Sequence, residues 1–392
     1  MDEMDDRSYP NMYNNQPLFS NAIMHMINNR IQTSLLLLTF FTVIFPGPVV
    51  YAQESEIVKG TIYVDDVAVE TEIISKDDHI MVPSLFLKNT GASVDWYQDH
   101  QSMAFNLNST HVTVLPEKSL INVTDSDLET QSKTLPVIPI YVEGQLFIPL
   151  ECVAESLGLE VVHDEEDHVS IQNPVERETE RIGSTNPKNM QVALTFDDGP
   201  EATYTPQILD ILQDKEISAT FFVVGKQVEL YPEIMRRIVD EGHSLGNHSY
   251  SHASFPSITT SQVFQELKKT QLAIEKIVGT KPNLLRPPYG ALSRGDEELA
   301  SEKGFRIVTW SVDTLDWTGA SADEIFSTVS KEIEAGGITL QHNSDSNPGK
   351  LDGTIEALPR IIDDLQSRGY TFVTVESLLD EKNQNIKKES DF

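Results

Sequence analysis

The ten residues QVALTFDDGP, 191–200, decide the fold. An apolar run of strand length, 192–196, ends directly in two aspartates, a glycine and a proline. No glycine-rich dinucleotide or phosphate loop follows this first strand. Further strand-like runs recur at 219–224, 243–247, 283–285, 305–312, 338–340 and 370–375. Helical patterns lie between most of them, at 206–213, 232–240, 261–278, 296–302, 322–334 and 354–367. Ser321 with Glu324 makes a capping box for one helix, and Gly242, Gly304 and Gly369 sit where helices should close. Such alternation implies parallel strands joined by right-handed crossovers. About seven units fit either an open doubly wound sheet or a closed barrel. The missing phosphate loop favours the barrel, which puts the active site at the strand C-terminal ends.

Five polar clusters fall at those ends. Asp197-Asp198-Gly199-Pro200 follows the first strand, and alone it reads as a turn. His248-Ser249-Tyr250-Ser251-His252 places two histidines four apart, a spacing that lets both reach one metal. Arg286-Pro287-Pro288-Tyr289-Gly290 carries an arginine able to grip a carboxylate on a proline-stiffened loop. Asp313-Thr314-Leu315-Asp316-Trp317 and Leu340-Gln341-His342 complete the set. Each has a bland reading as a loop or a satisfied histidine. Together, on one rim, they supply a metal triad, a base with its orienter, and an acid with its orienter.

In this order the motifs TFDDGP, HSYSH, RPPYG, DTLDW and LQH resemble the NodB-like polysaccharide deacetylases, a carbohydrate esterase family. The resemblance covers about residues 191–378 and implies a distorted (β/α) barrel. Residue chemistry and resemblance give the same assignment. Asp198, His248 and His252 bind one divalent metal, zinc in the first instance, with cobalt or another divalent ion as the alternative. Asp197 is the base, oriented by Arg286. His342 is the acid, held protonated by Asp313. The resemblance adds the Tyr289 backbone N–H as an oxyanion donor, and Trp317 with Leu340 as a pocket for the acetyl methyl. Ser249 and Asp316 are expected to support, and His243 to be structural. A metal-independent branch of the family replaces the second aspartate of the first motif, so Asp198 disfavours that branch.

The front half carries a repeat. His79–Trp96 (HIMVPSLFLKNTGASVDW) and Gln145–Asp164 (QLFIPLECVAESLGLEVVHD) each read strand, proline, short helix, glycine, strand. This predicts a small α+β domain over 55–172. It resembles the N-terminal-like domain of copper amine oxidases, an accessory domain on exported bacterial wall enzymes. The spacings of His79, His100, His111, His163 and His168 match no ligand template, so they read as solvent-facing polar residues. Residues 173–190 are polar without an apolar period and read as a linker between 55–172 and a catalytic domain at 191–380. On this reading, a chain beginning near Met190 folds alone and acts on short oligomers.

At the amino terminus, LLLLTFFTVIF (35–45) follows Arg30 and precedes Val50-Tyr51-Ala52, the layout of a secretory signal over 1–52. The run is shorter than the roughly 20 apolar residues of a span, so a cleaved signal is expected over an uncleaved anchor. The acidic stretch 2–6 suits no signal, which points to a start at Met24 or Met26. The expected location is secreted or wall-associated, with membrane contact only if the signal stays on.

Of 392 residues, 29 are basic and 61 acidic, a net charge of −32. This argues against a nucleic-acid partner. The single cysteine, Cys152, excludes an internal disulfide and any cysteine-based metal cluster, and it reads as a buried apolar residue. No obligate protein partner is evident. The expected activity is metal-dependent N-deacetylation of N-acetylglucosamine in an extracellular polymer, peptidoglycan first. Chitin or chitooligosaccharide is the second substrate and O-acetyl xylan the third. The non-enzyme alternative is a wall-binding protein with a vestigial barrel.

Overall fold

The computed structural model describes residues 56–164, 168–175, 179–185 and 189–380. The signal reading lies outside them. Among the described residues no helix is long and apolar enough to cross a membrane.

The second half is built on eight strands: β1 (Arg181–Ile182), β2 (Thr195–Asp197), β3 (Thr220–Val223), β4 (Ser244–Asn247), β5 (Leu284–Leu285), β6 (Arg306–Val308), β7 (Val312–Asp313) and β8 (Thr339–His342). Their order is β1-β6-β5-β4-β3-β2-β8-β7, and every pairing is parallel. β6 and β7 are one run of chain broken at 309–311. β6 pairs with β5, and β7 pairs with β8 at the other end of the sheet. That short break carries the chain across the sheet, which is a parallel half-barrel consistent with the distorted (β/α) barrel.

Alternate strand residues point to opposite faces. Phe196, Phe221, Val223 and Leu245 face outward and pack under Leu209, Ile238, Leu358 and Ile362 of the surrounding helices. Phe222, Leu284 and Val308 cluster instead with Val375, Leu378 and Leu379 of the carboxy-terminal segment. The six expected helices are present as Tyr204–Asp214, Pro232–Asp240, Thr260–Val278, Arg294–Glu302, Ala322–Glu332 and Asp352–Ser367. The Ser321–Glu324 box forms as expected. Thr259–Gln262 and Ser293–Asp296 make two more.

Two expectations need correction. The run 370–375 does not join the barrel sheet; Thr371–Phe372 pairs with Gln191–Val192 in a separate two-stranded sheet. The segment 173–190 is not simply a linker. Its Arg181–Ile182 is the strand that pairs with β6, and Thr185 N–H donates to Gly336 O at 2.9 Å. Polar composition hid it because a two-residue strand carries no readable period.

The front half holds a seven-stranded sheet and a five-stranded antiparallel sheet. One apolar cluster, including Val82, Leu87, Val94, Phe105 and Ile148, draws on both. The repeat is real. Strands His79–Pro83 and Gln145–Pro149 pair antiparallel, each leads into a short helix, and Gly91 and Gly158 follow at φ +92° and +82°. The first of these helices, Ser84–Thr90, is 3-10 rather than α. Cys152 is half-buried at the cluster's edge, where burial raises its thiol pKa.

The two halves meet closely. On Gly295 an added Cβ would lie 2.5 Å from the backbone oxygen of Ala92. Lys88 and Asp296, both fully buried, form an ion pair at 2.7 Å. Burial lowers the Lys88 pKa, with Asp296 opposing it.

Candidate metal centre

The five motifs meet at the strand C-terminal ends, around a cavity of about 440 Å³. Asp197 closes β2, and Asp198 follows in a left-handed turn at φ +78°. Ser249, His252, Tyr289 and Leu315 share that uncommon conformation, at φ between +56° and +63°. Non-glycine residues rarely adopt it, and it gathers where a site fixes side chains against local preference.

Arg286 is fully buried beneath the cavity. Its Nη1 donates to Asp197 Oδ1 at 2.8 Å and to Thr195 Oγ1 at 2.6 Å, and Nη2 donates to Thr309 O at 2.8 Å. The guanidinium lies over the Phe222 ring at 4.1 Å. One oxygen of Asp197 is thereby fixed, and the other, Oδ2, lies 3.9 Å from His248 Nε2.

Asp198 Oδ1 sits 3.3 Å from His248 Nε2 and 3.1 Å from His252 Nε2. It is buried and has no hydrogen-bond partner. His248 Nδ1 lies 2.6 Å from Arg286 O. A carbonyl only accepts, so Nδ1 carries the proton and Nε2 turns its lone pair towards Asp198. An imidazole lone pair, a second imidazole nitrogen and an orphaned carboxylate oxygen facing one point are what a divalent cation resolves, so the residues fit a metal. Protons compete for the same place. Burial lowers the His248 pKa, but Asp197 and Asp198 outweigh it and raise it. Against its own burial, Asp198 is held well below the usual carboxylate range by the two imidazoles beside it, those of His248 and His252. Among the described residues this is the only such gathering of histidine and carboxylate ligands. The front-half histidines are exposed or half-buried and take no part.

His342 closes β8. Its Nδ1 lies 2.7 Å from Asp316 Oδ1, and its backbone N–H donates to Asp316 Oδ2 at 2.8 Å. Thr354 Oγ1 donates to the same Oδ2 at 2.9 Å. Burial lowers the His342 pKa, but Asp316, followed by Asp197 and Asp198, overrides this and raises it to about 9. This corrects the expected partner: Asp313 does not hold His342. Asp313 Oδ1 accepts from Leu315 N–H at 2.9 Å and caps its own loop. The left-handed Leu315 turns the chain so that Asp316, fully buried, comes under the imidazole. Two aspartates three apart in one loop gave the sequence no means of choosing.

Tyr289, Trp317 and Leu340 line the cavity. Tyr289 packs edge-on against the His252 ring at 4.7 Å between centroids. Its side chain is exposed, as is that of Trp317, whereas Leu340 is buried. His243 is structural, as read: Nδ1 accepts from Ala219 N–H, and burial pulls its pKa to about 4. Sequence reasoning missed two supports and three lining residues. Asn343 Oδ1 accepts from Gly199 N–H at 2.9 Å, so near that a Cβ on Gly199 would collide with it. Glu266 Oε2 accepts from the N–H groups of Tyr250 and Ser251, at 2.9 and 2.7 Å, in the middle of the histidine segment. Trp310, Ser344 and Asp345 also line the cavity. A glutamate inside a long helix carries no sequence signal for such a task.

Comparison with known proteins places these features. Residues 184–308 match the polysaccharide deacetylase family model, and 57–171 match the copper amine oxidase N-terminal domain model. The chain is 42% identical over 188 residues to a peptidoglycan-N-acetylglucosamine deacetylase of Bacillus cereus, covering 48% of this chain and 68% of that protein. It is 38% identical over 196 residues to the peptidoglycan-N-acetylglucosamine deacetylase PgdA of Listeria monocytogenes, covering 50% and 40%. It is 36% identical over 205 residues to the peptidoglycan-N-acetylmuramic acid deacetylase PdaC of Bacillus subtilis, covering 52% and 42%. The chain thus spans less than half the length of the latter two. With the barrel, the five motifs and these likenesses together, the chain belongs to the polysaccharide deacetylase family and is a hydrolase of that family.

Proposed function

We propose that the protein removes acetyl groups from N-acetylglucosamine in peptidoglycan, using one divalent metal held by Asp198, His248 and His252. The observation that carries this reading is the orphaned Asp198 Oδ1 between two histidine nitrogens, with Asp197 beside it. When bound, a metal such as zinc supplies Lewis acidity that activates water and polarises the amide carbonyl at neutral pH. The chain's own residues do the rest. Asp197 takes the proton of the attacking water on Oδ2, because Arg286 occupies Oδ1. His342 uses Nδ1 to bond Asp316, which leaves Nε2 to hand a proton to the departing nitrogen. The amide C–N bond breaks, giving acetate and a free amine. The Tyr289 backbone N–H and the strained turn around it serve the oxyanion. Trp317 and Leu340 confine the methyl group.

The likeness to the Bacillus subtilis protein favours a second reading, in which the acetylated sugar is N-acetylmuramic acid. Export by the 1–52 segment and action at the wall belong to the same proposal. The test is acetate release from peptidoglycan, chitooligosaccharide and acetylated xylan, with sugar analysis of the product. Free amines on glucosamine support the first reading. Free amines on muramic acid support the second. Acetate from xylan alone overturns both.

A further inference from the structure

The front half makes contacts with the barrel that have no place in an independent spacer. Lys88 lies on the 3-10 helix Ser84–Thr90 and is fully buried. Its Nζ donates to Phe255 O and to Ile258 O, both at 2.8 Å, and lies 2.7 Å from Asp296 Oδ1. An ammonium has three donors, and three acceptors surround this one. Two of them belong to the segment that begins three residues after His252. That ligand itself sits at φ +58°, a conformation its neighbours must hold in place.

A second line of contact reaches the chain just beyond this segment. Asp95 Oδ1 accepts from Ser261 N–H at 2.7 Å, and Val94 N–H donates to Thr260 Oγ1 at 2.9 Å. Both fix the first turn of the helix Thr260–Val278. That helix carries Glu266, which grips the Tyr250 and Ser251 backbone between the two histidines. The histidine segment is therefore clamped at its centre through Glu266 and past its end through Lys88. The Lys88 clamp comes from the front half itself, and the front half also holds the first turn of the helix that carries Glu266.

We propose that Lys88 is a positioning residue for the metal centre, and that the front domain completes that centre by holding the His252 segment in its ligating conformation. This rests on the reading of Asp198, His248 and His252 as metal ligands. Outer partners of metal ligands typically change affinity by about 10–100-fold.

The test compares two variants of the full chain in cobalt(II) titrations followed by the visible absorption of the bound ion. Asp296→Asn keeps the ammonium and its two carbonyl partners. The double variant Lys88→Met with Asp296→Asn removes the ammonium without leaving a buried charge unpaired. The expected result is near-wild-type cobalt affinity in Asp296→Asn and a loss of about 10-fold or more in the double variant, with an altered spectrum. Wild-type affinity in a folded double variant overturns the proposal. If the double variant does not fold, hydrogen exchange on the wild-type chain decides. Coupling is reciprocal, so cobalt should raise protection in 84–90 together with 253–259. Protection confined to 248–252 overturns the proposal. A wild-type chain that binds no cobalt or zinc fails the metal reading itself, and this inference falls with it.

Discussion

Asp197 and Asp198 are adjacent in sequence and opposite in environment. One is held by a buried guanidinium, and the other faces two imidazoles. Asp197→Asn should lower kcat by about 10²–10⁴-fold, the usual range for a lost general base, with metal content per chain unchanged. Asp198→Ala should lose the metal. Metal analysis beside the rate checks both, and equal metal loss in the two variants would contradict the division of roles. His342 gives the pH signature. Its folded pKa, about 9, lies above the unfolded value of 6.5. The stability that this shift contributes is therefore fully present below about 6.5 and is lost as pH rises through about 9. The alkaline limb of the rate should follow the folded value, near pH 9. Asp316→Asn should move the limb to lower pH, because the largest raising influence is gone, whereas Asp313→Asn should leave it in place. A pH–rate profile of the two variants separates them.

At the scale of elements, much was legible. Strands β2, β4 and β8 announced themselves because each runs into a polar motif, and β3 by its apolar run alone. Helices announced themselves by period and by caps such as Ser321–Glu324. The gathering of Asp198, His248 and His252 was readable because metal chemistry restricts residue type and spacing together. What stayed hidden was set by tertiary contact. Arg181–Ile182 is too short to show a pattern, and Asp316 was chosen over Asp313 by the left-handed turn at Leu315. Lys88 looks like any surface lysine until Asp296, 208 positions later, is placed beside it. Lys88→Met alone leaves Asp296 buried without its cation, which should cost about 3–5 kcal/mol, read as a lower denaturation midpoint. Gly295→Ala should also destabilise, despite alanine's better helix propensity, since its Cβ meets the Ala92 backbone. An unchanged midpoint in both would mean the interface is loose.

At the scale of the whole molecule, the two halves act as one unit. A chain starting near Met190 lacks the strand Arg181–Ile182 as well as Lys88 and Asp95, so it should be insoluble or lose metal affinity, contrary to the independence suggested by composition. The acidity of the chain, net −32, sets it against anionic partners and leaves shape and sugar contact to hold the glycan. The most direct measurement is acetate release from purified peptidoglycan by the full chain, before and after chelation and then after adding back zinc or cobalt. The account predicts release that stops on chelation, returns with the metal, and leaves a free amine on the glucosamine. Undiminished release from the metal-free protein, or none with any divalent metal, would contradict it.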